Sequence, residues 1–294
     1  MDVTVSRRMW ELFEPLHAVV YFTPQARRAL DAAGMRGFWM GYVAARVAPL
    51  GPVGAAVATA VFYGFHPGRA ARALPDAWGY GTPAEVLAAR RTGSADALRA
   101  LLGDEVVAST EFREAAGLLW TAAQRADPAG RVLGAANQTL PEPADPVEKV
   151  WQATTTLREH RGDGHVGSLI SHGVTPVQSH LLKSAAGEVD EQVLRIARAW
   201  PDEAWDQARD ELLAGGWIDR DGAVTETGRS VRDEVERATD AAALGPWRML
   251  GVVGTERLAA LLGPWAKLIA DCGILTWPNP IGVTRPDRGD ADAR

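Results

Sequence analysis

Two histidines and an aspartate fall within six positions in EHRGDGHVGSL, residues 159–169. His160, Asp163 and His165 are acid–base material: imidazole titrates near neutral pH, and a carboxylate can fix its tautomer. Two histidines and one carboxylate could also form an open metal site. The i, i+3, i+5 spacing matches no zinc signature, however, so no metal is expected. The same residues have a plain structural use. Asp163 is a good N-cap for a short helix over 163–171, with Gly162 and Gly164 shaping the turn before it. His160 would then close a helix over 147–160, where its charge favours the dipole.

A second group lies near the start of the chain. Glu14, His17 and Tyr21 are three and four residues apart, so they share one helix face. Amid Leu and Val, that face reads as a buried hydrogen-bond network or a pocket lining. Arg46 follows an apolar helix face and could clamp a carboxylate or phosphate through two parallel hydrogen bonds, or form an internal ion pair. His66 in FHPG starts a helix and is a further candidate ligand contact. His172 and His180 read as peripheral. The chain has 11 tryptophans, and aromatic rings wall ligand pockets as well as cores. Trp39 and Tyr63 are the two picked for a pocket wall, within a cluster that includes Phe38, Tyr42 and Phe62. A glycine-rich phosphate loop, a Ser–His–Asp spacing and a CxxC pair are all missing from the sequence, so no cofactor is expected.

Mostly helices must position these groups. Apolar residues recur at helical spacing over 7–33, with Pro15 and Pro24 predicting a kink or two helices. Further helices are expected over 36–47, 53–65, 66–78, 82–90, 94–102, 110–125 and 130–138. LPEPADP (140–146) is a proline-rich break and the best linker. After it come helices over 147–160, 163–171, 175–186, 190–199 and 201–214. Then WID and AVTE flank Arg220-Asp221-Gly222, a hairpin turn signal, and TGR opens a helix through about Thr239. Three helices, a hairpin and a helix make the order of a winged helix-turn-helix.

The chain also carries an internal similarity. Met35-Arg36-Gly37-Phe38-Trp39-Met40 aligns with His160-Arg161-Gly162-Asp163-Gly164-His165 at an offset of 125, and PDAW (75–78) aligns with PDEAW (201–205). The fold expected is therefore mainly α, with tandem winged-helix-like halves from a duplication and a small β-hairpin wing in the second. The halves are 1–146 and 147–283, followed by a mobile tail over 284–294. TWPNPIG, near the end, is expected to dock on the body. A ligand pocket is expected between the halves, because the second copy is polar where the first is apolar.

The bulk numbers bound the function. The chain has 294 residues, a net charge of -6 and one cysteine, Cys272. The length suits two domains, and an acidic chain is a poor nucleic-acid binder. One cysteine excludes an internal disulfide and fits a cytoplasmic location, as does the missing apolar signal core. The longest apolar run, 53–65, is too short to span a bilayer, so no membrane partner is expected.

ARDELLAGGWIDRDGAVTETGRSVRDEV resembles the wing region of MarR-type regulators over about residues 175–240. FEPLHAVVYF (13–22), RGFWMGYVAARVAPLGPV (36–53), PDAW (75–78), LREHRGDGHV (157–166) and WPNPIG (277–282) together resemble an actinobacterial family labelled SalK-like or helix-turn-helix. That resemblance implies a winged-helix scaffold and carries no established activity with it. The helix over 201–214 would be the recognition helix. It carries Asp202, Glu203, Asp206, Asp210 and Glu211 against Arg209, so phosphate repulsion would act at the contact itself. A base-excision glycosylase on tandem winged helices is disfavoured by the same acidity and by the lack of a Gln-x-Gln-type site.

The expectation is a cytoplasmic scaffold that has left DNA and binds a small organic ligand. Asp163, His165 and His17 are its candidate acid–base groups, and Tyr21, Arg46, Trp39, Tyr63, His66 and His160 its candidate ligand contacts. A role in specialised metabolism follows from the resemblance alone. The alternative is a MarR-like, ligand-responsive transcriptional regulator. Oligomeric state is left open.

Overall fold

The structure, a computed structural model, describes residues 1–275 together with 279, 281, 282 and 285. Apart from Arg285, the expected tail over 284–294 lies outside the described residues, as does most of TWPNPIG.

The protein is mainly α-helical. Pro24 does what its missing N–H allows: it opens α2 (Pro24–Ala32) at the first helical position, behind the cap of Thr23, and so separates it from α1 (Thr4–Phe22). Pro15 is accommodated inside α1. Short helices follow: α3 (Phe38–Val47), α4 (Ala55–Phe62), α5 (Pro67–Ala71) and α6 (Ala77–Tyr80). α7 (Pro83–Leu102) is one helix where two are expected. It crosses α2 so closely that a Cβ on Gly93 would lie 2.7 Å from Ala29 Cβ, so glycine there permits the approach rather than a break. α8 (Asp104–Ala108), α9 (Thr110–Gln124) and α10 (Val132–Gln138) complete the part before the proline-rich break.

α11 (Pro146–Ser171) is the central element, with 15 of its residues buried around nearly all of its circumference. It overturns the expected turn at 160–164. Gly162 and Gly164 lie inside a continuous helix, and Asp163 does not begin one. The reason is packing. A Cβ on Gly164 would sit 2.3 Å from Arg131 Nη1, and one on Gly134 would sit 2.8 Å from His160 Cα. These glycines let neighbours close on the helix, and that burial outweighs their low helix propensity.

The third part holds its helices in the order expected: α12 (Pro176–Ala185), α13 (Glu191–Arg198), α14 (Asp202–Ala214) and α15 (Glu226–Ala242). The expected hairpin wing shrinks to a single antiparallel bridge, Ile218 to Val224, and no strand forms among the described residues. WID and AVTE are too short to build a ladder, and Thr225 already caps α15. α16 (Gly245–Asp271) closes the fold over a stretch to which the sequence pattern assigns no element; Gly251 kinks it at φ +79°.

Three cores result. The largest joins α1, α7, α9, α11 and α16, through residues such as Phe13, Phe112, Trp151, Trp247 and Trp265, and so draws on both sides of the 140–146 break. The second packs α3 to α6 around Val43, Phe62, Phe65 and Leu74. The third, around Leu181, Leu194, Trp205, Leu212 and Val235, belongs to the winged-helix-like part. The two segments matched by the internal similarity start differently. Gly37, at φ +83°, opens α3, whereas Gly162 is interior to α11. Among the described residues no single helix is long and apolar enough to cross a membrane. Residues 38–50 and 55–62 reach the length only together, and they bend by 92°.

Candidate functional site

The polar residues gather around an ion pair. Arg46, in the last turn of α3, donates from Nε and Nη2 to the two oxygens of Glu159 on α11, at 3.0 and 2.9 Å. Its Nη1 reaches the Tyr42 hydroxyl at 3.0 Å. Arg158 donates to the same carboxylate at 2.8 Å. Glu159 is 2% exposed. Two guanidiniums hold its carboxyl far below the usual range, despite burial that works in the opposite sense. The two-point clamp foreseen for Arg46 is thus filled by the protein's own carboxylate.

A cavity opens on each side of this pair. The first is lined by His17, Tyr21, Tyr42, Arg46, Arg90 and Glu159 among others, and encloses about 550 Å³ to its mouth. The second offers about 870 Å³ when the open solvent at its mouth is included. Its wall takes Tyr42, Arg46, Phe62, Tyr63 and Phe65 from one side of the proline-rich break, and Arg158, Asp163, His165, Lys183 and Arg198 from the other. A third, open cleft shares Arg158, His165 and Lys183 with it. His17 and Tyr21 therefore do not share a cavity with Asp163 and His165; Tyr42, Arg46 and Glu159 line both.

Hydrogen bonds assign the histidine tautomers. Thr155 Oγ1 donates to the Trp151 carbonyl at 2.8 Å, so it must accept from His17 Nδ1–H at 2.9 Å. His17 Nε2 is then a lone pair that accepts the Tyr21 hydroxyl at 3.0 Å. The ring stacks near Trp151, and burial keeps it well below its ordinary pKa. His165 repeats the device. Thr239 Oγ1 donates to Val235 O at 2.8 Å and accepts His165 Nδ1–H at 3.0 Å. No hydrogen bond occupies its Nε2 among the described residues, and 27% of the side chain is open to the cavity. Burial pushes it down to about 4, so at neutral pH it is an uncharged acceptor.

Asp163 caps a helix, though not its own. Its Oδ2 accepts the Gly134 N–H at 2.8 Å, at the start of α10. Burial pushes the carboxyl up to about 6. Tyr63 donates to the Val174 carbonyl at 2.6 Å, which ties α4 to the third core.

The remaining candidates stand apart from these cavities. Trp39 packs against Phe38, Tyr42 and Phe65, with the Arg69 guanidinium 4.0 Å above it. His66 accepts the Gly68 N–H as the cap of α5 and meets Trp200 edge-on. His160 is buried against Gly134, with Nε2 unpartnered. It shares the α10 side of α11 with Asp163, away from His165, and no metal-ligand group forms among the described residues.

Sequence reasoning missed Glu159, Arg158, Arg198 and Lys183. Arg198 on α13 lies over the Phe65 ring at 4.4 Å and is hydrogen bonded to Tyr42. One signal was available. Arg158-Glu159 places adjacent opposite charges directly after the apolar and threonine-rich run VWQATTTL (150–157).

The outer face of α14 completes the picture. Asp202, Glu203, Asp206, Asp210 and Glu211 are exposed along it, and its one arginine, Arg209, is turned onto Glu191 at 2.6 Å. A helix-turn-helix family pattern matches residues 6–276. The chain belongs to that helix-turn-helix family. No curated protein and no solved structure matches it. In this helix-turn-helix protein, α14 presents carboxylates outward.

Proposed function

We propose that this protein uses its helix-turn-helix scaffold to bind a small organic anion, in the cavity between α3–α4 and α11–α13, rather than to bind DNA. One observation carries the reading. Arg46, Arg158, Arg198 and Lys183 line that cavity against only two carboxyls, Glu159 and Asp163, the second of them pushed up to about 6. His165 and His180, pushed down to about 4 and about 3, add no charge at neutral pH. The wall therefore carries more cationic than anionic side chains in a partly desolvated space, where an anionic ligand gains most. Phe62, Phe65, Tyr42 and Tyr63 supply apolar wall for its body. Asp163 and His165 are the groups that would move a proton on such a ligand. The setting proposed is cytoplasmic, and the link to specialised metabolism rests on family resemblance alone.

Calorimetric titration with benzoate and its neutral isostere benzamide tests this. Benzoate is expected to bind and benzamide not, with benzoate binding lost in Arg198→Gln. Equal behaviour of the two compounds would sink the reading. The family match favours a second reading, a ligand-responsive regulator. Anisotropy with the duplex upstream of its own coding sequence, at low salt, separates the two: salt-sensitive, sequence-specific binding would favour the regulator.

A further inference from the structure

The chain has 28 arginines and three lysines. Two of the lysines do what arginine could do as well. Lys149 pairs with Glu142 at 2.7 Å and Lys267 with Asp271 at 2.8 Å. Lys183 is different. Its amine has no hydrogen bond or ion pair among the described residues, and it lines both the ligand cavity and the open cleft beside it. A Cβ at position 282 would stand 3.1 Å from Nζ, so Gly282 leaves room over the amine. His165, with its Nε2 unoccupied, borders the same two spaces.

We propose that Lys183 is a nucleophile that condenses with an aldehyde or ketone group on the bound anion to form an imine. The inference rests on the reading of the cavity as an anion site. Arg46 and Arg158 already clamp Glu159 on that wall, and Arg198 beside Lys183 penalises a further positive charge. Burial, Arg198 and Arg232 push the Lys183 amine below its ordinary pKa, while Glu236 and Glu188 pull it back. Those two carboxylates are engaged elsewhere. Glu236 binds Arg7 at 2.8 Å and lies 3.5 Å from Arg161, and Glu188 binds Arg232. A lysine desolvated beside other cations keeps more of its neutral, nucleophilic form.

The step balances without a redox partner. The nitrogen lone pair forms a C–N bond to the carbonyl carbon as the π pair moves to oxygen. The two N–H protons then end on that oxygen, which leaves as water. His165 Nε2 is placed on the same wall to accept the first of them.

The test uses 4-carboxybenzaldehyde with cyanoborohydride at neutral pH, followed by peptide mapping. Lys183 is expected to be labelled at least about tenfold faster than Lys149 or Lys267. Excess benzoate should suppress that labelling, and Lys183→Arg should abolish it. Equal labelling of the three lysines overturns the proposal. Benzoate binding without selective labelling overturns the imine alone and leaves the anion site standing. Selective labelling that benzoate neither binds against nor suppresses overturns the anion reading, and with it the ligand class proposed for Lys183.

Discussion

His17 and His165 are held by the same device in two different surroundings. Each gives Nδ1–H to a threonine hydroxyl, at 2.9 and 3.0 Å, and each threonine passes its own proton to the carbonyl four residues back in its helix. Each ring is thereby locked as a neutral Nε2 acceptor. What differs is the partner of Nε2. Tyr21 fills it for His17, inside the largest core, whereas the cavity fills it for His165. An identical local arrangement gives one histidine a full set of partners and leaves the Nε2 of the other without a hydrogen bond among the described residues.

The wall between the two is the place to break this comparison hardest. Glu159→Gln leaves Arg46 and Arg158 buried with one counter-charge removed, and is expected to cost about 3–5 kcal/mol in urea unfolding. A loss under about 1 kcal/mol would mean that the pair does not hold the two cavities apart.

Acid should act next, and on both histidines. His17, His160, His165 and His180 are all pushed below their ordinary 6.5. Between pH 6.5 and about 4 the unfolded chain takes up protons there that the folded chain refuses, so their contribution is complete above 6.5 and lost as pH falls. Asp163 and Glu14 run the other way. Raised to about 6 and about 7, they favour the folded state as pH falls through those values. Four groups against two predict a net loss of stability from pH 7 to pH 5, read as a lower urea midpoint. A midpoint that rises over that interval would contradict the neutral histidines.

The threonines separate the two sites more finely. Thr155→Val strands His17 Nδ1–H in the core and should cost about 1–3 kcal/mol. Thr239→Val should cost less, about 0.5–1.5 kcal/mol, because the His165 ring has the cavity to turn into. The reverse order would undo the contrast. The smallest effect expected is that of Tyr21→Phe, about 1 kcal/mol or less. Its sharper readout is the ¹⁵N spectrum of the imidazoles: the Nε2 resonance of His17 should shift, and that of His165 should stay.

The legible parts of the fold were those with local causes. Pro24 and Thr23, Thr82 and Pro83, and Thr175 and Pro176 mark helix starts that the structure reproduces. The joint face of Glu14, His17 and Tyr21 was legible too, because spacing along one helix suffices. Glu159 was not, because its meaning lies in Arg46, 113 residues away. Lys183 was hidden for a similar reason, since a lone lysine in sequence carries no sign of the cavity it faces.

EHRGDGHVGSL shows where the division falls. The sequence by itself determined a mainly α-helical chain, its principal breaks and an acidic helix over 202–214, because propensity, capping and charge act over a few residues. Tertiary structure decided that 146–171 is one helix, that Asp163 caps α10, and that His165 rather than His160 meets the cavity. Those outcomes turn on close approach between distant segments, where Arg131 and His160 press on glycines. The burial gained there outweighs the local preference for a turn.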